Sequence, residues 1–325
     1  MSLNRRLFLA TSGTTMLAAP ATLRAQAVTL RFGHVLQPDH PYHKMAERFA
    51  ELLREAEVGV TVQIFPGGQL GNERTLIEGL QLGSVDVTTI TSAVTANFVP
   101  EFNVFNLPFL FRDTAHLFAV MDSPVGAALA EKLAARGLIA LGYGYGGARD
   151  LYTSRAVRNL PDLAGMRIRT IENPIVVDTW RALGAAPTPI PWNDVFLSLR
   201  NRVVDGAEGT GVSYKSMGFD RLSPFFTRLD YLLSWHNVML SNIAHQRLSP
   251  AQREAVARAG TASVQFEREL FVADERTLFG QLAQAGVTVI TVEDRDAWAR
   301  AVEPVYARNA ARAGGQELID SIRAA

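Results

Sequence analysis

Residues 142–147 read "GYGYGG", and how this stretch is read decides the fold. It fits the dinucleotide-binding fingerprint G-x-G-x-x-G letter for letter, and it follows an apolar run, residues 138–141, that reads as a strand. The fingerprint works only where a helix opens at the loop and points its first N–H groups at a pyrophosphate. Residues 148–170, "ARDLYTSRAVRNLPDLAGMRIRT", come next. Tyr152, Thr153 and Val157 favour strand, Pro161 forbids a continuing helix, and residues 166–170 form another strand-like run. No helix opens at the glycines. They read as a loop, and no nicotinamide or flavin cofactor is expected.

Composition narrows the function further. The chain has 325 residues, 48% apolar and 20% charged, as in a soluble globular protein of one large or two ordinary domains. Lys plus Arg (32) balance Asp plus Glu (32), which leaves no electrostatic footprint for nucleic acid or an anionic membrane. Cysteine is absent, so disulfides, thiolate metal sites and a cysteine nucleophile are excluded together. The first 27 residues begin with paired arginines, Arg5 and Arg6. An uncharged, mildly apolar run to Leu23 follows, and the segment closes on Ala25-Gln26-Ala27. That is the grammar of an export signal, of the twin-arginine type, with cleavage before Val28. No later segment approaches the roughly 18 unbroken apolar residues of a membrane span, so no direct membrane insertion is expected.

From Val28 the chain alternates. Residues 28–33 have a period of two; a helix with Pro41 in its first turn presents Met45, Phe49, Leu52 and Leu53 on one face. A strand follows to Phe65, then a helix from Asn72 to Gly83, then "VDVTTI" as a third strand. This order predicts a parallel α/β sheet, whose ligands sit beyond the carboxyl ends of the strands. The aromatic stretch 98–113 reads as a buried connector. A second α/β set starts at Asn173-Pro174, an N-cap followed by proline. "APTPIPW" reads as an extended connector, and "VVDGAEG" as a strand running into a loop that holds Asp205 and Glu208 on a turn. Ser249-Pro250-Ala251-Gln252 is a capping box. The helix it starts runs to about residue 285, interrupted at Gly260 and Gly280, roughly 50 Å in all. That exceeds the width of one compact domain, so the helix is expected to brace two.

Catalytic chemistry is thin. Pro41 spoils the helical spacing of His40 and His43, no G-x-S-x-G or H-E-x-x-H occurs, and no metal site is expected. Arg169, in contrast, stands at the carboxyl end of a strand just before a helix N-cap. Guanidinium is the group shaped for a bidentate grip on carboxylate.

Six segments now stand in order: residues 31–53, 65–88, "NLPFLF" (106–111), "LAGMRIRTIENP" (163–174), "ALGAAPTPIPWNDV" (182–195) and "VVDGAEG" (203–209). In sequence and spacing they resemble the TRAP-transporter substrate-binding proteins of the DctP family, across nearly the whole chain after the signal. The resemblance implies an α/β, two-lobed periplasmic binding protein with a ligand cleft between lobes and a long helix bridging both. It implies capture of a small-molecule carboxylate and delivery to small and large integral membrane subunits. The lobes would comprise residues 28–146 with about 236–274, and 147–235 with about 275–325. Arg169 matches the family's carboxylate-pairing arginine and Arg149 a second basic cleft residue near the lobe crossover, where the glycines 142–147 would give a flexible crossing. Asn173, Trp192, Glu208, Thr91, Ser92 and His34 fall in segments that line the family's cleft. Gly209 departs from the family, standing where an amide commonly contacts ligand. The segment "TITSAVT" lacks the charged pair of sialic-acid-binding members. Both departures favour a smaller acid, or one with an apolar body facing Trp192. Two other readings stay open: a receptor serving a periplasmic sensor, and an exported enzyme using the same cleft.

Overall fold

The computed structural model describes residues 27–325; the export signal therefore lies outside the described residues, apart from Ala27. The first alternation is β1 (Val28–Gly33), α1 (Pro41–Glu55), β2 (Val60–Phe65), α2 (Glu73–Leu82) and β3 (Val87–Thr91). Local signals account for the boundaries. Asn72 caps α2 by accepting from the Thr75 N–H, and Gly83 ends it in the left-handed region at φ 75°. Next come α3 (Ser92–Thr95), a buried 3₁₀ turn at Pro100–Asn106, α4 (Thr114–Met121) and α5 (Pro124–Ala134). The second alternation is β4 (Leu138–Thr153), α6 (Leu160–Leu163), β5 (Arg167–Thr170), α7 (Pro174–Ala182), β6 (Ala186–Pro189), α8 (Val195–Arg200) and β7 (Gly206–Thr210). The chain closes with α9 (Gly211–Ser216), β8 (Phe225–Ser241), α10 (Asn242–Arg247), α11 (Pro250–Gln284), β9 (Thr288–Thr291), α12 (Arg295–Asn309) and α13 (Gln316–Ala324).

All nine strands among the described residues belong to one mixed sheet, in the order β2-β1-β3-β8-β4-β7-β5-β6, with β9 beside the start of β8. Its two wings, β2-β1-β3 and β7-β5-β6, are parallel within themselves, as the alternation requires. They are joined by β4 and β8, two long strands that pair antiparallel along their length and shift register between Ala140 and Gly142, Tyr145 and Gly147, and Arg149 and Leu151.

Four sequence expectations are corrected here. The glycine run 142–147 lies within β4 and is not a loop; its backbone is paired with β8. Its glycines admit neighbours: a Cβ on Gly144 would stand 2.1 Å from His236 Nε2, and one on Gly147 would stand 2.6 Å from the Phe271 ring. Glu208 is on strand β7, not on a turn. β7 lies between β4 and β5, and Gly206 is demanded there because a Cβ would meet the Tyr152 carbonyl oxygen at 2.5 Å. The segment read as a proline-rich connector supplies β6. Pro187 and Pro189 are tolerated because β6 is the last strand of its wing. Finally, α11 is uninterrupted, 35 residues or about 52 Å at 1.5 Å per residue. Its capping box is formed: Gln252 N donates to Ser249 Oγ and Ser249 N to Gln252 Oε1.

The helix α11 serves both wings. Ala255, Val256, Ala259 and Val264 share a core with Met45, Phe49 and Leu53 of α1, while Phe271, Leu278 and Leu282 enter the core that includes Phe226 and Tyr214. Its two glycines are not equivalent. A Cβ on Gly260 would lie 2.7 Å from Leu141 Cβ and 3.1 Å from the Leu141 carbonyl, whereas Gly280 has nothing within 4 Å. Gly260→Ala should therefore destabilise the protein by about 1–3 kcal/mol through overpacking. Gly280→Ala should stabilise it by about 0.5–1 kcal/mol through helix propensity alone. Urea unfolding midpoints moving in opposite directions would establish this contrast, and equal midpoints would refute it.

Candidate functional site

Beyond the carboxyl ends of β1, β3, β5 and β7 lies a narrow cavity of about 30 Å³. The first wing contributes Val35 and Leu36 after β1, Tyr42 of α1, Glu73 of α2 and Thr91 at the end of β3. Opposite stand Arg169 of β5, Ile171, Trp192, Thr210 and Ser213, and the long strands supply Gly146, Arg149 and Ser234. Larger surface hollows exist, one of about 590 Å³ beside α7 and α12. Its Arg308 is half exposed and already paired with Asp178, so it offers little to a ligand. The smaller cavity holds the buried charges.

Those charges centre on Glu208. Arg149 Nε donates to its Oε2 at 2.6 Å, Tyr231 Oη donates to the same oxygen at 2.7 Å, and the Ile171 N–H donates to Oε1 at 2.8 Å. Arg169 Nη1 lies 3.8 Å from Oε1. Burial alone would push this carboxyl up, but the Arg149 guanidinium and these hydrogen bonds outweigh it and hold Glu208 below the usual carboxylate range. Arg169 is 1% exposed; its Nε donates to the Ile190 carbonyl at 2.8 Å, its guanidinium carbon is 5.4 Å from the Trp192 ring centre, and Nη1 has no hydrogen-bond partner among the described residues. Burial, opposed by Glu208, draws Arg169 below the ordinary arginine range. Two buried cations thus share one buried carboxylate, so the pocket is set to receive a negative group.

Glu73 adds a second carboxyl across the cavity. The Thr91 N–H donates to its Oε1 at 2.7 Å and Thr91 Oγ1 to its Oε2 at 3.2 Å. Burial nonetheless raises its pKa. In sequence it sits directly after the Asn72 cap, where an acid is expected merely to complement the helix dipole. Tyr42, Ser213 and Ser234 carried no local signal.

Of the eight residues singled out in the sequence, Arg169, Arg149, Trp192 and Thr91 line the cavity. Glu208 stands behind the arginines and positions them. Asn173, Ser92 and His34 do not line it. Both ends of the Asn173 amide are engaged: its oxygen caps α7 through the Ile175 and Val176 N–H groups, and its nitrogen donates to the Ala93 carbonyl and Asn103 Oδ1. It ties the second wing to the first. So do His40 Nε2, 3.0 Å from Ser213 Oγ, and Asn97 Nδ2, which donates to the Glu172 carbonyl. His34 is fully buried beside His43, its pKa lowered to about 3, first by burial and then by that neighbour. Ser92 is buried at the start of α3. Among the described residues no group of three or more His, Asp or Glu is arranged to hold a metal.

A profile of the bacterial extracellular solute-binding proteins, family 7, matches residues 32–313. The chain belongs to this family, DctP. It is a family of substrate-binding receptors rather than of enzymes, and several of the similar solved structures are TRAP periplasmic solute-binding proteins. The chain is 32% identical over 288 residues, 88% of each chain, to the 2,3-diketo-L-gulonate-binding periplasmic protein YiaO of Escherichia coli K12. It superposes with a TM-score of 0.88, at 36% identity, on a TRAP periplasmic solute-binding protein of Bordetella bronchispeptica with density read as pantoate; 91% of this chain and 98% of that one are covered. The sugar-acid-binding protein DctPAm of Advenella mimigardefordensis, in complex with galactonate, gives a TM-score of 0.89 at 29% identity over 92% and 97% of the chains. No helix among the described residues of this DctP-family protein is long and apolar enough to cross a membrane.

The two buried carboxyls should respond oppositely to pH. The folded pKa of Glu208 is depressed, so its stabilisation is complete above the unfolded-state value of about 4.3 and is lost as pH falls through the folded value. That of Glu73 is raised, so the folded state loses stability as pH climbs from about 4.3 through the raised value. Glu208→Gln, which leaves two buried guanidinium groups without a counter-charge, should destabilise by about 3–5 kcal/mol at neutral pH. Glu73→Gln should be neutral or stabilising there. Denaturant unfolding of both variants at acidic and neutral pH checks the assignment, and an equal loss in the two would contradict it.

Proposed function

We propose that this protein is a periplasmic receptor, not an enzyme, that captures an organic acid between two lobes and delivers it to the integral membrane subunits of a TRAP transporter. The observation that carries the proposal is the buried Arg169 guanidinium on a cavity wall, whose Nη1 is 3.8 Å from Glu208 yet hydrogen-bonds to no group among the described residues. A ligand carboxylate would take the fork, and because the arginine is already desolvated, the contact is formed without stripping its water on arrival. Galactonate, pantoate and 2,3-diketo-L-gulonate, the ligands named for the similar proteins, are all carboxylates of modest size. At about 30 Å³ the cavity between the closed walls is too small to admit any of these acids, so uptake requires the lobes to part.

The lobes are residues 28–146 with about 236–274, and 147–235 with about 275–325. What supports this division is the sheet itself: β4 and β8 cross from one wing to the other at the register shift between Tyr145 and Gly147, opposite Trp235 and Ser234. The C-terminal segment touches both sides, through Arg308 with Asp178 and His116 with the Ile322 carbonyl, and so acts with α11 as a brace. Opening requires breaking the hydrogen bonds of His40, Asn97 and Asn173 across the cleft; a ligand that bonds to both walls favours the closed state by its differential affinity. The leader read in residues 1–27 would take the protein to the periplasm.

Titration calorimetry on a panel of small carboxylates tests the clamp. Arg169→Ala should weaken binding by a few hundred- to a few thousand-fold, about 3–5 kcal/mol, because the ligand carboxylate would be buried unpaired. Arg169→Lys should restore only part, since ammonium lacks the planar fork. The exposed Arg158 serves as control, and Arg158→Ala should bind as wild type does. Affinity of Arg169→Ala within a few-fold of wild type would remove the clamp. A second measurement, small-angle scattering, should show a smaller radius of gyration with saturating ligand than without, and identical curves would exclude lobe closure.

A further inference from the structure

The bond that His40 makes across the cleft fixes the protonation of its ring. His40 is the N-cap of α1 and 1% exposed, and the Tyr42 N–H donates to its Nδ1 at 3.1 Å. A backbone N–H can only donate, so Nδ1 carries no proton and the ring is the neutral Nε2–H tautomer. Nε2 lies 3.0 Å from Ser213 Oγ on the opposite wing and therefore donates to it. Ser213 Oγ is also 2.9 Å from Thr210 Oγ1, and both residues line the cavity. These two hydroxyls hold two protons. One joins them; since His40 supplies a further hydrogen to Ser213, the other proton has no acceptor among the described residues. It is left for an oxygen of the ligand. His40 does not line the cavity itself and acts through the hydroxyl pair.

A charged imidazole does not fit this arrangement. A proton on Nδ1 would face the Tyr42 N–H, donor against donor, and undo the cap. The surroundings offer the charge no counter-ion. Lys44 stands on the same helix, His34 follows β1 and His236 lies on β8, while α9 and α11 face the ring with Ser213 and Phe271, both uncharged. Burial first, and then the neighbouring His34, His236 and Lys44, push His40 well below the ordinary histidine range. The ring is uncovered when the wings part, because the bond to Ser213 spans them and the narrow cavity beside it must widen to admit an acid. His34 and His236 differ in this respect, since they bond to His43, Leu36 and Thr89, all of the first wing. We propose that His40 is a positioning residue that must be neutral for the lobes to close, so that capture of the acid releases a proton from it. This inference rests on the lobed-receptor reading and adds to it a coupling between capture and pH. In the open protein the ring titrates near the ordinary value of about 6.5, and in the closed one it stays neutral. The contribution of His40 to affinity is therefore complete above about pH 6.5 and falls by about tenfold per pH unit below it.

The test is calorimetric titration of the full-length mature protein with galactonate or pantoate at pH 5.5 and 7.5, each in two buffers of different ionisation enthalpy. Asparagine at position 40 keeps the cap on Tyr42 but neither titrates nor reaches Ser213, so His40→Asn should fold with a melting temperature near that of wild type. At pH 7.5 it should bind about two- to tenfold more weakly, the worth of one hydrogen bond. Between pH 7.5 and 5.5 wild type should lose about tenfold more affinity than His40→Asn, and at pH 5.5 it should release close to one proton more on binding. Glu73, whose raised pKa acts in the opposite sense, is present in both proteins, so the comparison isolates His40. His245→Gln, on α10 and outside the cavity lining, should keep the wild-type dependence. Histidine ring-proton NMR of wild type gives a reading that needs no variant: one resonance should titrate near pH 6.5 without ligand and stay unprotonated through pH 5.5 with it. If wild type and His40→Asn bind with the same pH dependence, or ligand leaves every ring titration unmoved, the coupling is wrong and the receptor reading stands. If no acid of the carboxylate panel binds wild type, the receptor reading fails and the coupling falls with it.

Discussion

The Glu208 carboxylate, buried and bonded on both oxygens, is the constraint around which the protein is arranged. A carboxylate at that depth is tolerable only with charge beside it, and the sheet order β4-β7-β5 supplies an arginine from each neighbouring strand. Arg149 and Tyr231 saturate one oxygen, and the Ile171 backbone takes the other. Arg169 is left close enough to be held in place but without a hydrogen bond from Nη1. The excess of guanidinium over carboxylate around Glu208 therefore arises from the way the core is balanced, with Glu73 a second carboxyl across the cavity. A surface arginine could bind the same carboxylate, but water would compete for it; here the competition has been removed before the ligand arrives.

Holding that arrangement in register falls to β4, β8 and α11. Two long antiparallel strands carry the chain between wings, and their bulges let one continuous sheet present Gly146, Arg149 and Ser234 to the cavity. The glycines of β4 let α11 come close: Val264, Glu267 and Phe271, spaced to lie on one helical face, stand where side chains on Gly142, Gly144 and Gly147 would be. A helix pressed on a strand in this way joins the cores of both wings. It also explains why a glycine run that resembles a phosphate-binding loop has nothing to do with phosphate.

The similar proteins share this scaffold and differ in the acid named for each, from galactonate to pantoate. A division of labour in the site accounts for that. In the proposed reading the arginines, held by Glu208, would meet the feature that all such ligands have, the carboxylate, and they are tied into the sheet. Uncharged residues of the cavity wall such as Trp192 would meet what varies. Residues of the second kind can change without unbalancing buried charge, so one fold serves many ligands.

The sequence by itself determined the parts of this protein that depend on near neighbours along the chain. The alternation of strands and helices in the first wing, the caps at Asn173 and Ser249, the length of α11 and the position of Arg169 at a strand end were legible, because periodicity and capping are local interactions. So was the family, from six segments in order. What only the tertiary structure decided involves partners far apart in the chain. Glu208 looked like a turn residue between glycines, and its strand exists because β4 and β5 lie on either side of it; Arg149, which it grips, is 59 residues away. Glu73 looked like an ordinary first-turn acid until Thr91 and burial were visible. Asn173 lies at the cleft, as read, but its amide is engaged by the cap and by the opposite wing and does not line the cavity. The unpaired Nη1 of Arg169 is legible in no pattern, since a missing hydrogen bond is a property of everything packed around it.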